Sequence, residues 1–339
     1  MSDDIYPDIL RLQPEAEGTT TTTKIKHLVL AGGGTSGLVA FGALKAMAQQ
    51  GLWSYEDVVS IDATSAGTIL AVIVALNYAW EDAEAYIVKR PWQHVVKSDI
   101  YSIFAAFDQR GIWNMEVIEQ VLTPLLLGKN LSKTTTLQEL FDATHIEIHF
   151  YAVALKSKCE LVDISHLTHP DWRVVEAVYA SSCVPVLFAP LFKDGIGYVD
   201  GGMLLNYPIV PCLERPGVEE QSVLGLNKKV EEVDPVAPSA SLFDYIMYLL
   251  NQLIGLSLHR QSQFQSRSKI QLELQVTSRV VTSMDILQLS TSEELRQTLI
   301  NEGMALASAQ DCRSCNLPDL VQDCSSCNLP DIKPQTEEV

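Results

Sequence analysis

Lys26-His27-Leu28-Val29-Leu30-Ala31-Gly32-Gly33-Gly34-Thr35-Ser36-Gly37 passes from an apolar, strand-length run into a glycine-rich loop, and Leu38, Phe41, Leu44 and Ala48 then repeat at helical spacing. The unit recurs at once. Val58-Val59-Ser60-Ile61 reads as a second strand, Ala63-Thr64-Ser65-Ala66-Gly67 as a sharp turn, and Thr68 to Leu76 as a helix with no polar face, which must be buried. Strand, helix, strand, helix in that order implies a parallel sheet covered by helices.

Further along, 115–126, 137–143 and 172–182 read as helices, and 146–155, 159–164 and 223–226 as strands. Two later helices, near 240–266 and 291–309, flank a strand near 270–276. Ahead of the first strand, residues 1–24 hold a Pro/Glu segment and a threonine run and read as a mobile leader. A body over 25–310 follows. The tail, 311–339, contains an internal repeat: Asp311-Cys312 to Leu320 recurs as Asp323-Cys324 to Ile332.

Composition narrows the function. The chain has 339 residues, 47% of them hydrophobic, and Lys+Arg 24 against Asp+Glu 42 leaves a net charge of −18. That balance disfavours nucleic acid and a polybasic grip on anionic lipid. The acidic N-terminus lacks the basic and apolar regions of a signal peptide, and no apolar run reaches the ~18 residues of a spanning helix. The expectation is a cytoplasmic protein. Cys159, Cys183 and Cys212 read as small buried hydrophobes.

Each motif has more than one use. Gly32-x-Gly34-x-x-Gly37 fits a dinucleotide fingerprint, with Asp62 where a ribose-binding acid belongs, but fits equally an oxyanion-binding loop or plain tight packing. Ser65, with the small residues Ala63 and Gly67 two positions either side, suits a nucleophile elbow or a simple helix cap. Asp200-Gly201-Gly202 is a carboxylate in a site or an ordinary turn. The histidines His166 and His169 sit in a loop and read as surface residues. Cys312-x-x-Cys315 and Cys324-x-x-Cys327 have paired thiolates of the kind that hold structural zinc, though a duplicated surface linker has the same pattern.

Taken together, the glycine loop at the first strand–helix junction, the serine turn at the second and the distant Asp-Gly-Gly resemble the patatin-like phospholipases. Ala180-Ser181-Ser182-Cys183-Val184-Pro185 before the aspartate, and Asn206-Tyr207-Pro208 after it, resemble that family too. The resemblance runs from about Lys26 to Pro208. It implies a three-layer α/β/α fold with a mostly parallel central sheet. It also implies a Ser65–Asp200 dyad without histidine, an oxyanion hole at Gly33, Gly34 and Thr35, hydrolysis of fatty-acyl esters through an acyl-enzyme, no cofactor, and transient contact with a membrane surface.

Two positions depart from the family pattern: Ser36 stands where members usually carry Lys or Arg, and Ala63 where they carry Gly. Acyl transfer by the same dyad, a dinucleotide-binding oxidoreductase and a lipid-binding pseudoenzyme are the alternatives. The apolar stripe of the helix near 240–258 reads as core, with an interfacial role as the other option.

Overall fold

The computed structural model describes residues 23–96, 108–230, 235–265, 270, 272–278 and 283–314. The apolar run opens as β1 (His27–Leu30), fully buried, and the glycine loop tightens into a 3₁₀ turn at Gly34–Ser36 before α1 (Gly37–Gln49). β2 (Ser60–Thr64) and α2 (Ala66–Ala75) repeat the unit. β2 lies two residues later than the sequence reading placed it. The apolar pair Val58-Val59 precedes the strand, while Asp62 and Thr64 are fully buried inside it. A buried acid in a strand needs a partner, and Asp62 has one in Arg215, a residue that local sequence does not connect to it.

The remaining sheet strands are β4 (Glu147–Leu155), β5 (Cys159–Ile164), β7 (Leu191–Lys193), β8 (Ile196–Asp200), β9 (Val223–Val230) and β10 (Leu272–Ser278). The order is β10-β9-β1-β2-β4-β8-β7, with β5 also paired to β4. From β10 to β4 every pairing is parallel; β5, β8 and β7 add antiparallel pairs. β3 (Gly111–Trp113) and β6 (Val186–Phe188) form a small separate pair.

Helices cover the sheet: α3 (Trp80–Lys89), α4 (Met115–Leu127), α5 (Leu137–Thr144), α6 (Val174–Ser182), α7 (Ile209–Glu214), α8 (Leu242–Gln265), α9 (Ser283–Thr291) and α10 (Glu293–Ser314). The expected α/β architecture with a mostly parallel central sheet is the one observed. α5 begins with a capping box, Thr136 accepting from the Glu139 N–H while the Glu139 carboxylate accepts from the Thr136 N–H.

α1 and α10 cross backbone to backbone. A Cβ on Gly42 would lie 1.9 Å from the Ile300 carbonyl oxygen, and one on Gly303 would lie 1.9 Å from that of Val39. α10 continues to Ser314, past the compositional break at 310. Cys183 and Cys212 are buried as expected. Cys159 is not: it opens β5 next to a hairpin turn and is exposed. Of the expected leader, residues 1–22 lie outside the described residues. So do Cys315, Cys324 and Cys327, while Cys312 is described only as part of the α10 backbone.

Candidate active site

The turn between β2 and α2 is a single residue. Ser65 has φ 54° and ψ −129°, a left-handed conformation that costs a residue with a Cβ on the order of 1–3 kcal/mol. Surrounding groups hold it there. The Ser65 N–H donates to Ser181 Oγ at 3.0 Å, and that hydroxyl donates on to the Tyr151 carbonyl at 2.6 Å. The Ser65 carbonyl accepts from Thr68 Oγ1 at 2.6 Å and from Ser182 Oγ at 3.0 Å. With its backbone fixed by three hydroxyls, the side chain stands clear of the turn. It makes no capping bond to α2, so the simple helix-cap reading does not describe it.

Neighbouring positions are small because backbones approach there. A Cβ on Gly67 would meet the Leu30 and Ala31 carbonyl oxygens at 2.7 and 2.9 Å, so α2 rests directly on the end of β1. Ala63, fully buried and level with Leu30, fits without the glycine of the family pattern. Its methyl does not disturb the turn.

The glycine loop sits beside this turn. Gly34 takes φ 56°, and the amides of Gly34 and Thr35 open the 3₁₀ turn, where a helix's first N–H groups have no intrahelical acceptor. Ser36 turns inward and donates its hydroxyl to the Gly33 carbonyl at 2.9 Å. Asn206 anchors the loop on the other side: its Nδ2 donates to the Gly32 carbonyl at 2.9 Å, and its carbonyl accepts from the Gly32 N–H at 3.0 Å. Nothing in the local sequence marks Asn206, Ser181 or Ser182 as supports. All three lie inside the family-like stretches 180–185 and 206–208, which is the signal the sequence offers.

Asp200 ends β8, two strands from β2, and is 2% exposed. Its Oδ1 accepts from the Gly202 N–H at 2.7 Å. Oδ2 is buried and has no hydrogen-bond partner. Burial pushes the carboxyl up to about 6, against the pull of Ser65, the Gly202 N–H and the Lys228 ammonium. The Asp-Gly-Gly segment is therefore more than a surface turn. A Cβ on Gly201 would lie 2.0 Å from the Tyr151 carbonyl oxygen, so this backbone is packed against β4.

Ser65 and Asp200 line one cavity of about 220 Å³ together with Gly33, Gly34, Asn206 and Lys228. Its far wall is apolar and includes Met247, Leu250 and Ile254 of α8. A second cavity of about 210 Å³ adjoins it at Gly34, Ala66 and Ile69 and runs between α1 and α2, lined by Leu38, Phe41 and Ile73. No histidine lines the first cavity among the described residues. His166 stacks on Phe141 at 3.9 Å between ring centres, and His169 bonds Thr168.

The dinucleotide reading loses its acid. Asp62 is fully buried, paired bidentately with Arg215 at 2.5 and 2.6 Å and bonded by the Tyr151 hydroxyl at 2.9 Å, so it has no face to offer a ribose. Among the described residues, no cluster of three or more His, Cys, Asp or Glu is placed to hold a metal ion.

A parallel sheet whose strand ends gather a serine turn, a glycine loop and a buried carboxylate at the mouth of apolar cavities belongs to an α/β lipid hydrolase. The chain is a member of the patatin-like phospholipase family, whose profile matches residues 28–213. It is 23% identical to the uncharacterized protein R571 of Acanthamoeba polyphaga mimivirus over 299 residues, covering 87% of this chain and 96% of that protein. It is also 23% identical to the probable lipid hydrolase 463L of Invertebrate iridescent virus 6 over 186 residues, 54% of this chain and 62% of the relative. Among solved structures, VipD from Legionella pneumophila aligns at 16% identity and a TM-score of 0.47, over 85% of this chain and 67% of VipD. Human GIVD cytosolic phospholipase A2 in complex with methyl gamma-linolenyl fluorophosphonate aligns at 13% identity and a TM-score of 0.44, over 86% and 58%.

Proposed function

We propose that the chain hydrolyses fatty-acyl esters of phospholipids or lysophospholipids, with Ser65 as nucleophile and Asp200 as its general base. The observation that carries this reading is the serine held in a left-handed turn on the wall of the same cavity as a buried carboxylate whose Oδ2 has no hydrogen-bond partner. Ser65 Oγ attacks the ester carbonyl carbon while Asp200 takes the hydroxyl proton. Gly33, Gly34 and Thr35 receive the oxyanion through backbone N–H groups, a service typically worth ~10²–10³ in rate per donor. Collapse breaks the ester C–O bond, and Asp200 returns the proton to the departing alcohol oxygen. Water then attacks the acyl-enzyme, Asp200 accepts its proton, the fatty acid leaves, and Ser65 regains the proton. The replacement of a cation by Ser36 does not touch these donors, since they belong to the backbone.

The apolar cavity behind Gly34 and Ala66 supports the acyl chain as its occupant. α8 supports a surface-bound mode of work. One face lines the site cavity through Met247, Leu250 and Ile254, while Tyr245, Leu249, Leu253 and Leu256 are exposed on the other at helical spacing. Among the described residues no helix is long and apolar enough to cross a membrane.

Ser65→Ala and Asp200→Asn are each expected to abolish release of fatty acid from mixed phospholipids, read by mass, with the far-ultraviolet circular dichroism unchanged. A fluorophosphonate is expected to label Ser65. Labelling at a different residue, or full activity in Ser65→Ala, removes the assignment.

A further inference from the structure

Lys228 is the one basic side chain on the wall of the Ser65–Asp200 cavity among the described residues. β9 brings it there. Leu226 pairs with Leu30 in register, so Lys228 stands level with the glycine loop, and its Cδ comes within 3.8 Å of the Cβ position of Gly33. Strand alternation sends Lys229 to solvent and Lys228 inward. Among the described residues the ammonium has no hydrogen-bond or ion-pair partner. The charge it answers is Asp200, whose Oδ1 is already engaged by the Gly202 N–H. Burial lowers the Lys228 pKa, and Asp200 offsets only part of that lowering.

An ammonium in a largely apolar cavity is costly unless an anion shares it. Asp200 is an incomplete answer, because a base that takes the Ser65 proton becomes neutral and leaves the cation alone in mid-reaction. A second anion in the cavity completes the balance, and the developing oxyanion already has backbone donors. With a net charge of −18 the protein surface repels anionic lipid, so an inward cation is where a phosphate finds attraction. A lysine serves phosphate as a point charge on a flexible stem.

We propose that Lys228 determines substrate class: its ammonium receives the phosphate of a phospholipid or lysophospholipid whose ester lies at Ser65, and so selects phosphorylated over neutral acylglycerols. This rests on the serine–aspartate reading above. Lys228 is a specificity-determining residue in this scheme and takes no part in bond making.

The test compares the protein as it stands with Lys228→Met and Lys228→Arg on two substrates of identical acyl chain, a lysophosphatidylcholine and a monoacylglycerol, both in neutral detergent micelles. Lys228→Met is expected to lose ~10–100-fold more kcat/KM on the lysophospholipid than on the monoacylglycerol, the scale of one charged hydrogen bond, and Lys228→Arg to recover most of it. With the neutral substrate, the acid limb of the Lys228→Met profile should move to higher pH, since Asp200 loses a neighbouring positive charge. In a Ser65→Ala background, binding of the same two lipids should show the same selectivity without turnover. Equal losses on both substrates, or no selective loss in binding, overturn the proposal while leaving the hydrolase intact. Fluorophosphonate labelling of Ser65 in Lys228→Met separates a misfolded variant from a discriminating one. If the unaltered protein cleaves neither ester, the hydrolase reading fails first and this one with it.

Discussion

At Asp200 the burial that suits the proposed base also weakens the fold. The carboxyl sits at about 6 in the folded chain against an ordinary 3.8, so between those values the folded state holds more protons than the unfolded. Stability therefore falls as pH rises through that window, and above it the whole cost of the buried charge is present. Asp200→Asn should be more stable than the parent at pH 8 by an amount on the order of 2–3 kcal/mol, with the gap closing near pH 4. Urea unfolding at the two pH values measures it. The rate should respond oppositely, kcat/KM falling as pH drops below about 6 and the base becomes protonated. Ser65 and Asp200 are readable in the sequence because each sits in a short motif with small neighbours. Asn206, Ser181 and Ser182 lie in family-like stretches, but their bonds to the glycine loop and the serine turn, like the place of Lys228 on the cavity wall, exist only once distant strands are side by side.

Elements were readable where one periodicity ran long enough. α2 has no polar face and is buried; α4, α5 and α6 follow apolar spacing closely. β3, β6 and β7 span three residues each, and the last two lie among prolines, leaving too little pattern to register. The displacement of β2 has another origin: the Arg215 guanidinium makes a buried aspartate tolerable, overriding the preference for apolar residues in the strand. The α1–α10 crossing is likewise invisible in either helix alone. Gly303→Ala should lose about 1–3 kcal/mol or more, since its methyl group meets the Val39 carbonyl and the Ala43 amide rather than a movable side chain. Gly255→Ala in α8 meets nothing within 4 Å and should be neutral or stabilising by up to ~1 kcal/mol. Thermal unfolding of the two variants side by side tests the contrast.

For the molecule as a whole, α8 is the element that would carry the proposed lipid contact of a protein of net charge −18. Its exposed leucines offer apolar contact while the overall charge opposes an anionic surface, so zwitterionic vesicles should retain more protein than anionic ones. Leu249→Glu with Leu253→Glu should lower that retention in a flotation assay and leave cleavage of a water-soluble short-chain ester intact, because both side chains point away from the site cavity. The pairing of β1 with β9, and the clasp of α10 on α1, also bear on synthesis. β1 and α1 wait for partners made later, β9 (Val223–Val230) and α10 (Glu293–Ser314), so a nascent chain carries a bare strand edge and an uncovered helix until those segments emerge. Competence for chemistry then arrives late and all at once. Under the proposed mechanism a chain that ends before Asp200 carries no hydrolytic activity, and its open strand edge is a site for aggregation until β9 arrives.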